Sequence, residues 1–212
     1  MSQQILRLGS ALLALSVAVF ADDKSLTTEQ VAAAIAYGAH YKTKDKFLEK
    51  GLRGVKVKLA SALARGDTSI FVTFFNDWNY IAAEATGANQ QLREVEPEDF
   101  HPEGLLHAVV EVHAIDKGAV SVLNRRYLDE RAHLVIRVND RTIQPVTKSM
   151  LKRSDQSPGS ILLGIETGKI TLEFSFQIAP DELARAAEVI LVDGDGNQHK
   201  AKAGLAEALQ TK

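Results

Sequence analysis

The chain has 212 residues, 45% of them apolar and 25% charged, with a formal net charge of −2. This is globular composition, which excludes a disordered, collagenous or low-complexity chain and leaves no overall charge to recruit nucleic acid. The absence of cysteine removes disulfides, cysteine-ligated zinc, iron–sulfur clusters and a thiol nucleophile.

Residues 1–21 read as a signal peptide. Arg7 is the only charge, an uncharged run spans residues 8–20, and Val19 and Ala21 stand at the −3 and −1 positions of a small-residue cleavage site before Asp22. Ser16-Val17-Ala18 offers a second site. The run is shorter than the roughly 20 residues of a membrane span, so the expected product is exported with no transmembrane span after cleavage. None of the six asparagines begins an Asn-x-Ser/Thr acceptor. With the missing cysteines, this points to a bacterial periplasm or exterior.

Thr27 and Gln30 form a capping-box pattern with Leu26 as a staple onto Val31, so a helix is expected to run to about His40 with Val31, Ile35 and Gly38 inward. The charged segment 41–54 reads as a solvated helix or loop. Val55, Val57 and Leu59 alternate with lysines, and a second strand covers 69–75 after an Arg65-Gly66-Asp67 turn, which together read as a hairpin. Asn76 or Asp77 then caps a helix that places Trp78, Ile81, Ala85 and Leu92 on one face, and Glu96-Pro97-Glu98 opens one short turn.

From Gly104 the period becomes two. Strands are expected at 106–114, 119–123, 134–138, 142–146, 169–179, 189–193 and 198–203, the last two joined by a type I′ turn at Gly194-Asp195-Gly196. In 169–179, Phe174 and Phe176 face the core and Thr171 faces solvent. The expected fold class is α+β: N-terminal helices with a β-hairpin, then an antiparallel immunoglobulin-like β-sandwich. The regions are 1–21 (signal peptide), 22–103 (helix-rich with hairpin) and 104–212 (sandwich), with a core shared by the last two as the open alternative.

Residues 164–169 have three residues between glycines where a phosphate-binding loop needs four, and they read as a hairpin turn. The strand leading to Gly194-Asp195-Gly196 lacks the third glycine of a dinucleotide site, and Asp193, Asp195 and Asn197 only begin a calcium-loop spacing. No cofactor is expected. Glu111 and His113 share a strand face, and His133 is the natural third ligand if a metal binds there. No Gly-x-Ser-x-Gly elbow or His-Glu-x-x-His helix occurs, so no catalytic residue is assigned.

Residues 117–153 carry nine basic side chains against three acidic ones. Arg125, Arg126, Arg131, Arg137, Arg141, Lys152 and Arg153 are therefore the candidate contacts for an anionic envelope component or another envelope protein. The resulting expectation is an exported, non-enzymatic interaction module of the bacterial cell envelope. Its rivals are a hydrolase or metal enzyme with a site assembled only in space, and an envelope structural or assembly subunit.

Overall fold

The computed structural model describes residues 26–60, 68–115, 126, 131–153 and 167–209. The expected signal peptide, the Arg65-Gly66-Asp67 turn, the 119–123 strand, Arg125 and the 164–166 turn residues lie outside them.

Nine antiparallel strands among the described residues form two sheets packed face to face. They are β1 (Val55–Ala60), β2 (Thr68–Asn76), β3 (Leu106–Ile115), β4 (His133–Val138), β5 (Arg141–Ile143), β6 (Thr147–Arg153), β7 (Thr167–Phe176), β8 (Ala187–Val192) and β9 (Gln198–Ala203). The five-stranded sheet has the order β1-β2-β3-β7-β6, and the four-stranded sheet β5-β4-β8-β9. Thus β2 pairs with β3 from Thr68↔Ala114 to Asn76↔Leu106, and strands from both halves of the sequence share a sheet.

Alternation explains the interior. On β7, Ile170, Leu172, Phe174 and Phe176 are buried against Leu134, Ile136, Val189 and Leu191 of the opposite sheet. Each large apolar side chain withdrawn from water contributes about 1.5–3 kcal/mol. Val57, Ile70, Val72 and Phe74 join the same core, so the hairpin is part of the sandwich rather than an appendage.

A helical layer covers part of the other face of the five-stranded sheet. Helix α1 (Thr28–Ala39) begins at Thr27 with the expected reciprocal capping box to Gln30. Helix α3 (Asp77–Gln90) begins at Asn76, whose side chain accepts from the Asn79 amide at 3.1 Å. The two cross closely at Gly38, where an added Cβ would stand 2.1 Å from the Ala82 carbonyl oxygen. Thr86 Oγ1 donates at the same crossing, lying 2.9 Å from the Gly38 carbonyl and 2.8 Å from its own helix at Ala82.

Four local expectations are corrected. Segment 41–54 is not simply solvated: a short α2 (Lys44–Lys46) runs into a π-type turn, Phe47–Gly51, whose Phe47 is fully buried with Val31, Ala34 and Ile81. One aromatic ring outweighs its charged neighbours, which keep their heads in solvent or in ion pairs. Leu92 is not on the inner face of α3. The helix closes in a Schellman pattern, with Leu92 N–H bonded to Asn89 O and Arg93 N–H to Ala88 O, which leaves Leu92 at φ 56° and 95% exposed.

The strand expected at 142–146 divides. β5 ends at Ile143 in the four-stranded sheet, and after Pro145 the chain crosses to become β6 at the edge of the other. The final hairpin is not type I′: only Gly196 of its loop has positive φ (85°), Gly196 N–H bonds to Asp193 O, and Asp193 N–H to Asn197 O. This is a three-residue loop with its left-handed residue last. A short α4 (Pro180–Leu183) links β7 to β8. Among the described residues, no helix is long and apolar enough to cross a membrane.

Candidate functional site

The outward faces of β3, β7 and β6 meet in register. His107 pairs with Ser175, which pairs with Thr147; one step along, Val109 pairs with Glu173, which pairs with Ser149. Helix α3 and the 44–48 turn overhang these two rows. Between them lies a cleft of about 270 Å³ lined by Tyr80, Glu84, His107, Ser149, Glu173 and Ser175, among others.

His107 sits at the cleft's inner end. Its Nε2 is 2.6 Å from Asp77 Oδ1, and its Nδ1 is 3.0 Å from Ser175 Oγ. A carboxylate only accepts, so Nε2 carries the proton, and in the neutral ring Nδ1 is left to accept from the serine hydroxyl. Both His107 and Asp77 are buried. The ring is held between Tyr80, at 4.2 Å between centroids and 7° from parallel, and Phe75 at 5.8 Å and 21°. Asp77 is itself fixed: its Oδ2 accepts from Gly104 N–H at 2.7 Å and Leu105 N–H at 3.3 Å. The first turn of α3, the start of β3 and the imidazole are thereby locked together.

Lys44 closes the other end. Its Nζ lies 2.9 Å from Glu84 and 3.2 Å from Glu173, while Glu173 also accepts from Ser149 Oγ at 3.3 Å. Burial opposes the charge on Lys44, but the carboxylates of Glu173 and Glu84 outweigh it and raise its pKa above the ordinary lysine value. Burial, then the neighbouring Glu84 and Glu173 charges, raises the Tyr80 phenol as well.

The residues singled out from sequence lie elsewhere. Arg126 Nε donates to Asp195 at 2.7 Å, Arg137 to Glu188 at 3.2 Å, and Arg141 pairs with Glu182. Arg131 is exposed and precedes β4. Lys152 and Arg153 belong to β6, in the other sheet from Arg137 and Arg141, opposite Ile170 and Lys169. The basic stretch is therefore split between two sheets, and three of its arginines meet acids distant in sequence. Glu111 pairs with Lys169 across β3 and β7, and His113 packs edge-on to Phe71. His133 starts β4 in the opposite sheet, with Nδ1 2.6 Å from Arg131 O. Among the described residues, no three His, Asp or Glu side chains are gathered as metal ligands. Asp193 is engaged by its own loop and by Arg126, accepting from the Asp195 and Asn197 amides at 3.0 and 2.9 Å with Arg126 Nε 3.8 Å away.

Asp77, Ser175, Lys44 and Glu173 carry no motif and were not legible as a group. One signal was present. Phe71, Phe75 and Val109 are apolar residues on strand faces otherwise polar, which announces a second covering layer.

No protein-family profile matches the chain, and no curated protein matches it. A solved structure, a novel protein of unknown function from Burkholderia pseudomallei, is similar at 13% identity, over 89% of this chain and 95% of that one, with a TM-score of 0.44.

Proposed function

We propose that the chain is an exported protein of the bacterial cell envelope whose working part is the cleft beneath α3, a binding site for a small hydroxylated or amine-bearing molecule. The observation that supports this is the convergence of Glu84, Glu173, Lys44, His107 and three hydroxyl residues (Thr147, Ser149 and Ser175) on one concave space of about 270 Å³. Small-molecule sites combine such a concavity with apolar walls and a few placed polar groups. Lys148 also lines the cleft but donates its ammonium to the Ala132 carbonyl, so it is Lys44 that answers the two carboxylates, which favours a neutral or cationic ligand over an anionic one. Export rests on the residue 1–21 pattern, and N-terminal sequencing of the mature protein is expected to begin at Asp22.

The strand orders support reading the sandwich as immunoglobulin-like. With β1 set aside, the orders β2-β3-β7-β6 and β5-β4-β8-β9 correspond to strands A-B-E-D against a C-F-G sheet extended by one strand beside C. The cleft then lies on the outer face of the A-B-E-D sheet, under added helices, and not among the loops at the ends of the sandwich.

The test is amide NMR of the mature chain titrated with glucose, N-acetylglucosamine and ethanolamine. Saturable shifts clustered at His107, Ser149, Glu173 and Ser175 with any of the three support the reading. No shift with all three, or shifts confined to β8 and β9, overturns it.

A further inference from the structure

We infer that Ser175 is an activated nucleophile able to accept an acyl group from a small ester, an activity that rests on the cleft reading above. Four observations carry it. Ser175 Oγ is 3.0 Å from His107 Nδ1, and His107 Nε2 is 2.6 Å from Asp77. The imidazole is clamped between Phe75 and Tyr80. Asp77 is pinned by two backbone amides. Finally, Ser175 and His107 both line this cleft and the one beside it, so the half-buried hydroxyl faces space that a substrate can occupy.

The arrangement is a nucleophile, a base and a group that orients the base, linked by hydrogen bonds. Here the nitrogens are exchanged relative to the serine-protease arrangement: the carboxylate holds Nε2, and Nδ1 faces the serine. The chemistry is unchanged, because a proton held on Nε2 leaves Nδ1 basic. As Ser175 Oγ attacks the ester carbonyl carbon, its proton passes to His107 Nδ1 and the Oγ–C bond forms. The ester C–O bond then breaks, and the departing alkoxide takes the proton from His107 and leaves as the alcohol. A water enters, gives a proton to Nδ1 and attacks the acyl-serine. Release of the carboxylic acid returns that proton to Ser175. Thr147, the register partner of Ser175 on the edge strand, lines both clefts with it and brings a hydroxyl that can donate to the carbonyl oxygen. A site with one such donor, where efficient enzymes offer at least two, turns over slowly. Acylation and slow hydrolysis are the expected behaviour.

The experiment uses the mature chain with a fluorophosphonate probe and with p-nitrophenyl acetate, read by intact and peptide mass spectrometry. A single adduct on Ser175 is expected. Ser175→Ala abolishes it while keeping the wild-type circular dichroism, with only the small fall in Tm that an unpaired His107 Nδ1 brings. His107→Gln lowers the labelling rate about 100-fold or more, the size of a general-base contribution. Two-bond 1H–15N spectra of His107 report the positioning role of Asp77: the proton sits on Nε2 in the wild type and leaves it in Asp77→Asn. No adduct at any probe excess, equal labelling of Ser175→Ala, or a wild-type proton on Nδ1 each overturns the proposal. Absent labelling with intact NMR shifts on glucose, N-acetylglucosamine or ethanolamine removes the nucleophile and leaves the cleft. Loss of both removes the cleft as well.

Discussion

The five-stranded sheet has two buried faces of opposite character. Its inner face, against the four-stranded sheet, is apolar on β1, β2, β3 and β7, where β7 contributes Ile170, Leu172, Phe174 and Phe176, and turns polar only at the edge strand β6, where Lys148 and Lys152 stand in register with Phe174 and Ile170. Its outer face, partly covered by α3, buries His107 and Thr171 and half-buries Glu173 and Ser175. The inner face is held by area removed from water, which is non-directional and tolerant of exchange. The outer face is held by paired polar groups, each of which costs free energy as soon as its partner is lost. One face of the sheet stabilises the fold, and the other specifies positions to within a hydrogen bond. That division suits a site built on rigid elements.

The contrast predicts a graded series of costs in denaturant unfolding. Phe174→Ala, in the inner core, is expected to lose about 3–5 kcal/mol. Gly38→Ala drives a methyl group into the Ala82 carbonyl at the α1–α3 crossing and is expected to cost about 1–3 kcal/mol. It would loosen the outer layer while the sandwich stays folded; complete loss of β-sheet circular dichroism in this variant would mean that the two layers do not separate. Asp77→Ala leaves His107 and two amides without their acceptor, at about 1–3 kcal/mol.

The ionic end of the cleft gives a pH test. The pKa of Lys44 is raised in the folded state, so its stabilisation is complete below the ordinary value of 10.5 and is lost as pH rises through the folded value. Tyr80, also raised, resists ionisation in the fold and acts in the same direction above 10.0. The expected outcome is a stability that falls as pH rises beyond about 10, with a smaller fall in Lys44→Met. An alkaline limb unchanged by that substitution would remove the lysine from the account.

The smallest effects separate buried from exposed polar groups. Thr171, 7% exposed beside the Glu111–Lys169 pair, is not the solvent-facing residue that alternation suggested. Thr171→Ala is expected to cost about 1 kcal/mol. Arg137 pairs with Glu188 on the exposed face of the four-stranded sheet, and Arg137→Ala is expected to cost about 0.5 kcal/mol or less. Equal costs at the two positions would erase the distinction between the covered and uncovered outer faces.

The sequence by itself determined the local grammar. The capping box at Thr27, the Asn76 cap, the Pro97 turn and the period-two runs of β3 and β7 are decided within a few residues, by side chains that satisfy nearby amides or alternate with the pleat. The same grammar misjudged Leu92 and Thr171, because a helix end and the cover on a strand's second face depend on neighbours outside the window. Only the tertiary structure decided the site. Asp77 reaches His107 over 30 residues, Ser175 reaches it over 68, and Lys44 reaches Glu173 over 129. Alternation tells which side chains share a face. It carries no term for which distant strand lies beside that face or which helix closes over it, and those two placements turn ordinary polar residues into a constellation.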